Sequence, residues 1–86
     1  MEIEEIISRD PRYRLEAYAF VQEALRYTQK ALGKKGHVSG QELCNGCRRL
    51  AIKLYGRLAK TVLNSWGLYA TDDFGNVVYN LIAAGL

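Results

Sequence analysis

Two thiols three residues apart, in Cys44-Asn45-Gly46-Cys47, come closer to a reactive motif than anything else in the sequence, and the single histidine, His37, precedes them. Thiolates at that spacing enter structural zinc sites, but a closed site takes four protein ligands. These two sulfurs and one imidazole are all the chain offers, with no second Cys-x-x-Cys. A thioredoxin-type redox pair opens a helix after a strand, and no strand precedes Cys44 in the pattern below. On a helix the two sulfurs lie about 60° apart, on or beside the apolar stripe, where cysteine packs as a small hydrophobe. Zinc shared across a dimer through Cys44, Cys47 and His37 is the reactive alternative. As a general base, His37 needs a nucleophile and an orienting acid. Its neighbours Ser39 and Glu42 have another role, as a helix cap. No HExxH, GxSxG or phosphate-cradling glycine loop occurs, and the carboxylates are scattered. The sequence is read as that of a non-enzyme, with no catalytic residue and no cofactor.

Charge is the other candidate chemistry. The net +3 hides a polar distribution: residues 1–42 carry seven bases and seven acids, and residues 43–71 carry five bases and no acid. Those five are Arg48, Arg49, Lys53, Arg57 and Lys60. If 43–60 stays helical, Arg49, Lys53, Arg57 and Lys60 share one face, and such a row can follow a phosphate backbone. The alternative is a solvated basic face that keeps a small protein dispersed. A sequence-reading helix–turn–helix is disfavoured: the last helix would be the recognition helix, and it opens with Asp72-Asp73 and has no lysine or arginine. Arg12-Tyr13-Arg14 and Arg26-Tyr27 mix aromatics with charge as single-strand binders do. Tyr13 and Tyr27 fit equally well at the edge of a core.

The elements that must position these residues follow from periodicity. Asp10-Pro11 opens a helix predicted over 10–32, since aspartate caps free amides and proline fits the first turn. Gly33 ends it, with Lys30, Lys34 and Lys35 complementing the dipole. Its apolar side chains form two stripes: Tyr18, Val21, Leu25, Thr28 and Leu32 on one, Tyr13, Ala17, Phe20, Ala24, Tyr27 and Ala31 on the other. That breadth marks a central helix with neighbours on two sides. Ser39-Gly40-Gln41-Glu42 reads as a capping box opening a helix over 40–55 that buries Leu43, Cys47, Leu50, Ala51 and Leu54. A third helix, 57–66, turns Leu58, Val62 and Trp66 inward. Thr71 caps a last helix over 72–84, with Phe74, Val77, Val78, Leu81 and Ile82 on its inner face. Phe20, Leu25, Leu50 and Leu81 are expected to be nearly fully buried. Ile3–Ile7 reads equally as a short helix or an edge strand.

These segments make one all-α domain spanning 1–86, about four helices packed around the first long one. A winged-helix variant requires strands at the N-terminus or beyond Leu86. At 49% hydrophobic and 24% charged, the composition is that of a folded globule. No run approaches the ~18 apolar residues of a membrane span. The acidic opening MEIEEIISRD lacks the basic start and apolar stretch of a signal peptide, so a cytoplasmic protein is expected.

The strings RDPRYRLEAYAFVQEALRYT (9–28), GHVSGQEL (36–43) and AKTVLNSWG with TDDFGNVVYNLIAAGL (59–86) resemble a family of small conserved bacterial proteins of uncharacterised function. The resemblance implies no activity. It implies that members continue past AAGL with an acidic tail, which would make the +3 the charge of one part only. It also implies that cysteine is unusual at positions 44 and 47. The expected role is therefore an interaction domain with a protein partner or a second copy. The alternatives are a nucleic-acid module using the 48–60 basic face, and a metal- or redox-responsive protein using Cys44 and Cys47.

If both cysteines only pack, Cys44→Ala combined with Cys47→Val leaves the folding transition in place. Elemental analysis of the purified wild type then finds no stoichiometric zinc. One zinc per chain or per dimer would assign the pair, with His37, to a metal.

Overall fold

The structure, a computed structural model, describes residues 3–33 and 36–85. The chain is all-α: α1 (Ile3–Arg9), α2 (Leu15–Leu32), α3 (Gly40–Tyr55), a 3₁₀ turn (Gly56–Leu58), α4 (Ala59–Ser65) and α5 (Thr71–Ala83). The ambiguous opening segment is a helix, and among the described residues there is no strand to build a wing. Lys34, Lys35 and any strand after Leu86 lie outside the described residues.

The anticipated α3 boundaries hold because the capping box closes. Glu42 N–H donates to Ser39 Oγ at 3.0 Å, and Ser39 N–H donates to Glu42 Oε1 at 2.8 Å. α2 begins later than Asp10-Pro11 suggests. Tyr13 is 1% exposed, and inserting it requires the 10–14 segment to stay out of helix. Arg14, in extended conformation, donates its N–H to the Trp66 carbonyl at 3.1 Å. At α5 the expected threonine cap is replaced. Ala70 holds the cap position, and the Asp73 carboxylate accepts from the N–H groups of Tyr69 (2.8 Å) and Ala70 (3.0 Å).

α2 packs most extensively on α3 and next on α5, so it is central as its two stripes imply. The core is drawn from Tyr13, Tyr18, Phe20, Val21, Cys47, Leu50, Val77 and Leu81, with Ala17, Ala24 and Ala51 where helices approach closely. Closest is α2 against α3. A Cβ on Gly46 would overlap the Thr28 hydroxyl, which itself donates to the Ala24 carbonyl at 2.7 Å. Gly67, at φ 96°, brings the chain against the Arg12 carbonyl, where a side chain would collide.

Phe20, Leu50 and Leu81 are buried as expected, but Leu25 is 36% exposed. Leu32, Leu54, Leu58 and Ile82 are also exposed, against expectation, and so is Ala31. Three of these corrections have a visible geometric setting. α5 meets α2 at the Tyr18 level, where Asn80 reaches the tyrosine hydroxyl. Leu25 and Leu32 beyond it stay exposed, while Thr28 between them is buried against Gly46 of α3. At the end of α3, Tyr55 turns inward to meet Trp66 edge-on at 5.9 Å, and Leu54 is left outside. The reversal at Gly56 then carries Leu58 away from the core. Val62 and Trp66 are half-buried, with Trp66 also against Phe20 at 5.7 Å.

Phe20→Ala should cost about 3–5 kcal/mol in denaturant unfolding, whereas Leu25→Ala at the open end of the stripe should cost under about 1 kcal/mol. Gly46→Ala should be destabilising by about 1–3 kcal/mol despite alanine's better helix propensity, because α2 and α3 must part. Equal losses for the two large-to-alanine changes would mean that α2 is oriented differently.

Candidate interaction surface

The polar groups that interact most strongly sit where the 10–14 segment meets α5. Arg12 grips Asp10 with two hydrogen bonds of 2.7 Å, Nε to Oδ1 and Nη2 to Oδ2. Asn80 donates to the second oxygen at 2.9 Å. The Tyr13 hydroxyl donates to Asp73 Oδ1 at 2.6 Å and accepts from Asn76 at 3.0 Å. Hydrogen bonding by the Arg12 guanidinium holds the Asp10 carboxyl well below the usual carboxylate range. Partial burial pushes Asp73 up, but donors from Tyr13, Tyr69 and Ala70 outweigh it, so the net shift is downward. Burial raises both Tyr13 and Tyr18. Among the described residues, no buried side-chain nitrogen or oxygen lacks a hydrogen-bond partner. This network fastens α5 to the entry of α2.

The structure separates the sequence candidates for metal or redox chemistry. Cys47 is fully buried in the core, and burial, with Cys44 nearby, pushes its thiol up to about 12. Cys44 is half-buried at the edge of a groove. His37 lines a different groove, between α2 and α5. Among the described residues, no three histidine, cysteine or acidic side chains gather as metal ligands would.

The basic row is divided as well. All five cations are exposed, but α3 ends at Gly56 and a 3₁₀ turn intervenes before α4. The helical continuity that would align Arg49 and Lys53 with Arg57 and Lys60 is therefore lost. Arg48 and Lys60 line a groove between α3, α4 and the start of α5. Arg49 lines a small cleft between α2 and α3. Lys53 lies over the Tyr27 ring, 5.6 Å from its centroid. Among the described residues, none of the five forms an ion pair.

Among the described residues, three sizeable grooves border α5, besides a small cleft at Asn80 and Ala83. The first, about 410 Å³, has Ala51, Leu63, Leu68 and Phe74 as its apolar lining and Arg48 and Lys60 as its charges. The second, about 610 Å³, shares Cys44, Thr71 and Phe74 with the first and continues it towards Val38 and Val78. The third, about 450 Å³, runs between α2 and α5 and is bordered by Leu25, Val38, Val78, Leu81 and Ile82. Sequence periodicity does not reveal these grooves, because Leu25 and Ile82 carry the same helical signal as buried residues. No helix among the described residues is long and apolar enough to cross a membrane. No protein-family model, curated protein or solved structure matches the chain.

The depressed Asp10 and Asp73 groups stabilise the fold at pH values above the ordinary aspartate range near 3.9. That contribution is lost as pH falls through their lowered folded-state values. Thermal melts from pH 6 to pH 2 should show an acid-side decline that becomes shallower in Asp10→Asn and in Asp73→Asn. Parallel curves for wild type and both variants would show that the carboxylates are not linked to folding.

Proposed function

We propose that this protein is a non-enzymatic helical interaction domain whose partner is another protein. The observation that carries the reading is the pair Leu25 and Ile82. Helical spacing places both on inner faces, yet they are 36% and 69% exposed, bordering one apolar groove of about 450 Å³. Apolar side chains grouped on a surface and left uncovered by the described residues are suited to burial by a partner. The titratable groups where α5 meets the entry of α2 give further support, because Asp10, Tyr13 and Asp73 are engaged with one another or with α5. A cytoplasmic setting, where thiols stay reduced, suits the two free cysteines.

A nucleic-acid module built on Arg48, Arg49, Lys53, Arg57 and Lys60 has less support, since phosphate tracking favours a continuous row, whereas Arg49 borders a different cleft from Arg48 and Lys60 and the helix breaks at Gly56. A metal- or redox-responsive role has less again, because the buried Cys47 stays protonated at neutral pH and is a poor nucleophile.

The test compares proteins captured from the native host by the wild type and by Leu25→Glu combined with Ile82→Glu. Both side chains are at the surface, so the variant should fold, which a thermal melt verifies. The expected result is a specific protein held by the wild type and lost by the variant. Oligonucleotide titrations at several salt concentrations supply the opposing arm. Four phosphate contacts would give a log–log salt slope of about −3 to −4 on duplex DNA. Capture that ignores the two substitutions would overturn the reading. So would submicromolar oligonucleotide binding at physiological salt that Arg49→Glu with Lys53→Glu abolishes.

A further inference from the structure

Resting on the protein-partner reading above, we propose that the groove between α3, α4 and the start of α5 receives an acidic amphipathic helix of that partner, with Arg48 and Lys60 pairing its carboxylates. The Arg48–Lys60 part of this groove shares no lining residue with the Leu25–Ile82 groove on the α2 side.

Charge is the first ground. The α3–α4 stretch that walls the groove lies within residues 43–71, which hold five bases and no acid. Among the described residues, no acidic side chain borders the part of the groove that Arg48 and Lys60 line. Among the described residues, neither cation forms an ion pair. By contrast, Arg12, Arg14 and Arg26 each have an acid within 4.0 Å. Opposite charge must come from outside this surface, and potentials of opposite sign set register and partner choice at an interface. Asp72 borders only the adjoining part of the groove, so the basic end is the α3–α4 end and an incoming segment has a preferred direction.

Shape and polarity supply the rest. Ala51, Leu63 and Phe74 line the same groove as the two cations, as does Ile52, which is 58% exposed. A purely ionic ligand would leave these side chains in water. A helix with apolar anchors on one face and carboxylates beside them covers both. The α3 and α4 walls are helical, with backbone groups paired inside each helix. The non-helical edge at Leu68, Tyr69 and Ala70 has its Tyr69 and Ala70 N–H groups turned onto Asp73. An extended strand therefore finds no ladder on the α3–α4 side. A helix brings its own backbone hydrogen bonds. A second copy of the chain meeting this groove about a two-fold axis would set Arg48 and Lys60 against themselves. A nucleic-acid backbone would meet two cations and an apolar floor.

Cys44 borders both connected parts of the groove, while Cys47 is buried. Alkylation of Cys44 by iodoacetamide therefore reports occupancy, with Cys47 as the unreactive internal control. The experiment is a display selection of random 16-residue peptides on the full chain, followed by titration of fluorescein-labelled synthetic copies of the enriched sequences. The expected peptides are acidic, with large apolar residues three or four positions apart. They slow Cys44 alkylation and bind Arg48→Glu combined with Lys60→Glu about tenfold or more weakly. Both positions are exposed and unpaired, and if the double reversal unfolds, Arg48→Gln with Lys60→Gln carries the same comparison.

Enriched peptides that are neutral or basic, or that bind the variant equally, would overturn the acidic-helix assignment while leaving a protein-binding domain. Peptides that leave Cys44 alkylation unchanged would have the same consequence. Cys44 protection that rises with protein concentration alone, together with a doubled mass in solution, would place a second copy in the groove instead. The absence of any enriched peptide would overturn this assignment alone, and submicromolar shielding of Cys44 by an oligonucleotide would overturn both it and the protein-partner reading.

Discussion

The contact between α2 and α3 at Thr28 and Gly46 is the constraint on which the rest of the packing depends. Any side chain at position 46 would meet the Thr28 hydroxyl. That hydroxyl is already turned back onto its own helix, donating to the Ala24 carbonyl, so the buried polar atom is satisfied without needing space between the helices. Ala24, Cys47 and Ala51, small side chains on these two helices, are buried in the same core. Cysteine at position 47 is thus read most simply as a side chain of the right volume in a narrow place.

Once α2 and α3 are locked, α5 has a single route to the core, over the first half of α2. It is held there by polar contacts as much as by Val77 and Leu81. Tyr13 and Tyr18 present rings to the core and hydroxyls to α5, where Asp73, Asn76 and Asn80 meet them. A tyrosine used this way couples burial to a directional bond, which fixes the angle of the helix as well as its position. The consequence is asymmetry. α5 covers the Tyr18–Val21 end of α2 and diverges from the Leu25–Leu32 end, leaving one groove. Its start stands off from α3 and α4, leaving another. The surfaces assigned to partners are therefore by-products of the same hydrogen bonds that set the core.

Periodicity, capping chemistry and charge count made much of this legible from the residues alone. The all-α class, the α3 boundaries through Ser39 and Glu42, the centrality of α2, and the burial of Phe20, Leu50 and Leu81 are properties of local spacing. Such spacing acts within a few turns and does not depend on what lies across the core. The acid-free character of residues 43–71 is likewise a sequence fact. Tertiary structure decided which apolar residues stay outside and where the cations point. Leu25 and Val21 share a stripe, and only the crossing point of α5 distinguishes them. Leu54 and Tyr55 compete for one inward position, and Trp66, eleven residues on, settles it for the tyrosine. Arg48 and Arg49 are adjacent in sequence and border different grooves, because α3 is flanked by α4 on one side and α2 on the other. A helix carries its pattern in its own residues, but the neighbour that covers or exposes each face is set by contacts tens of residues away.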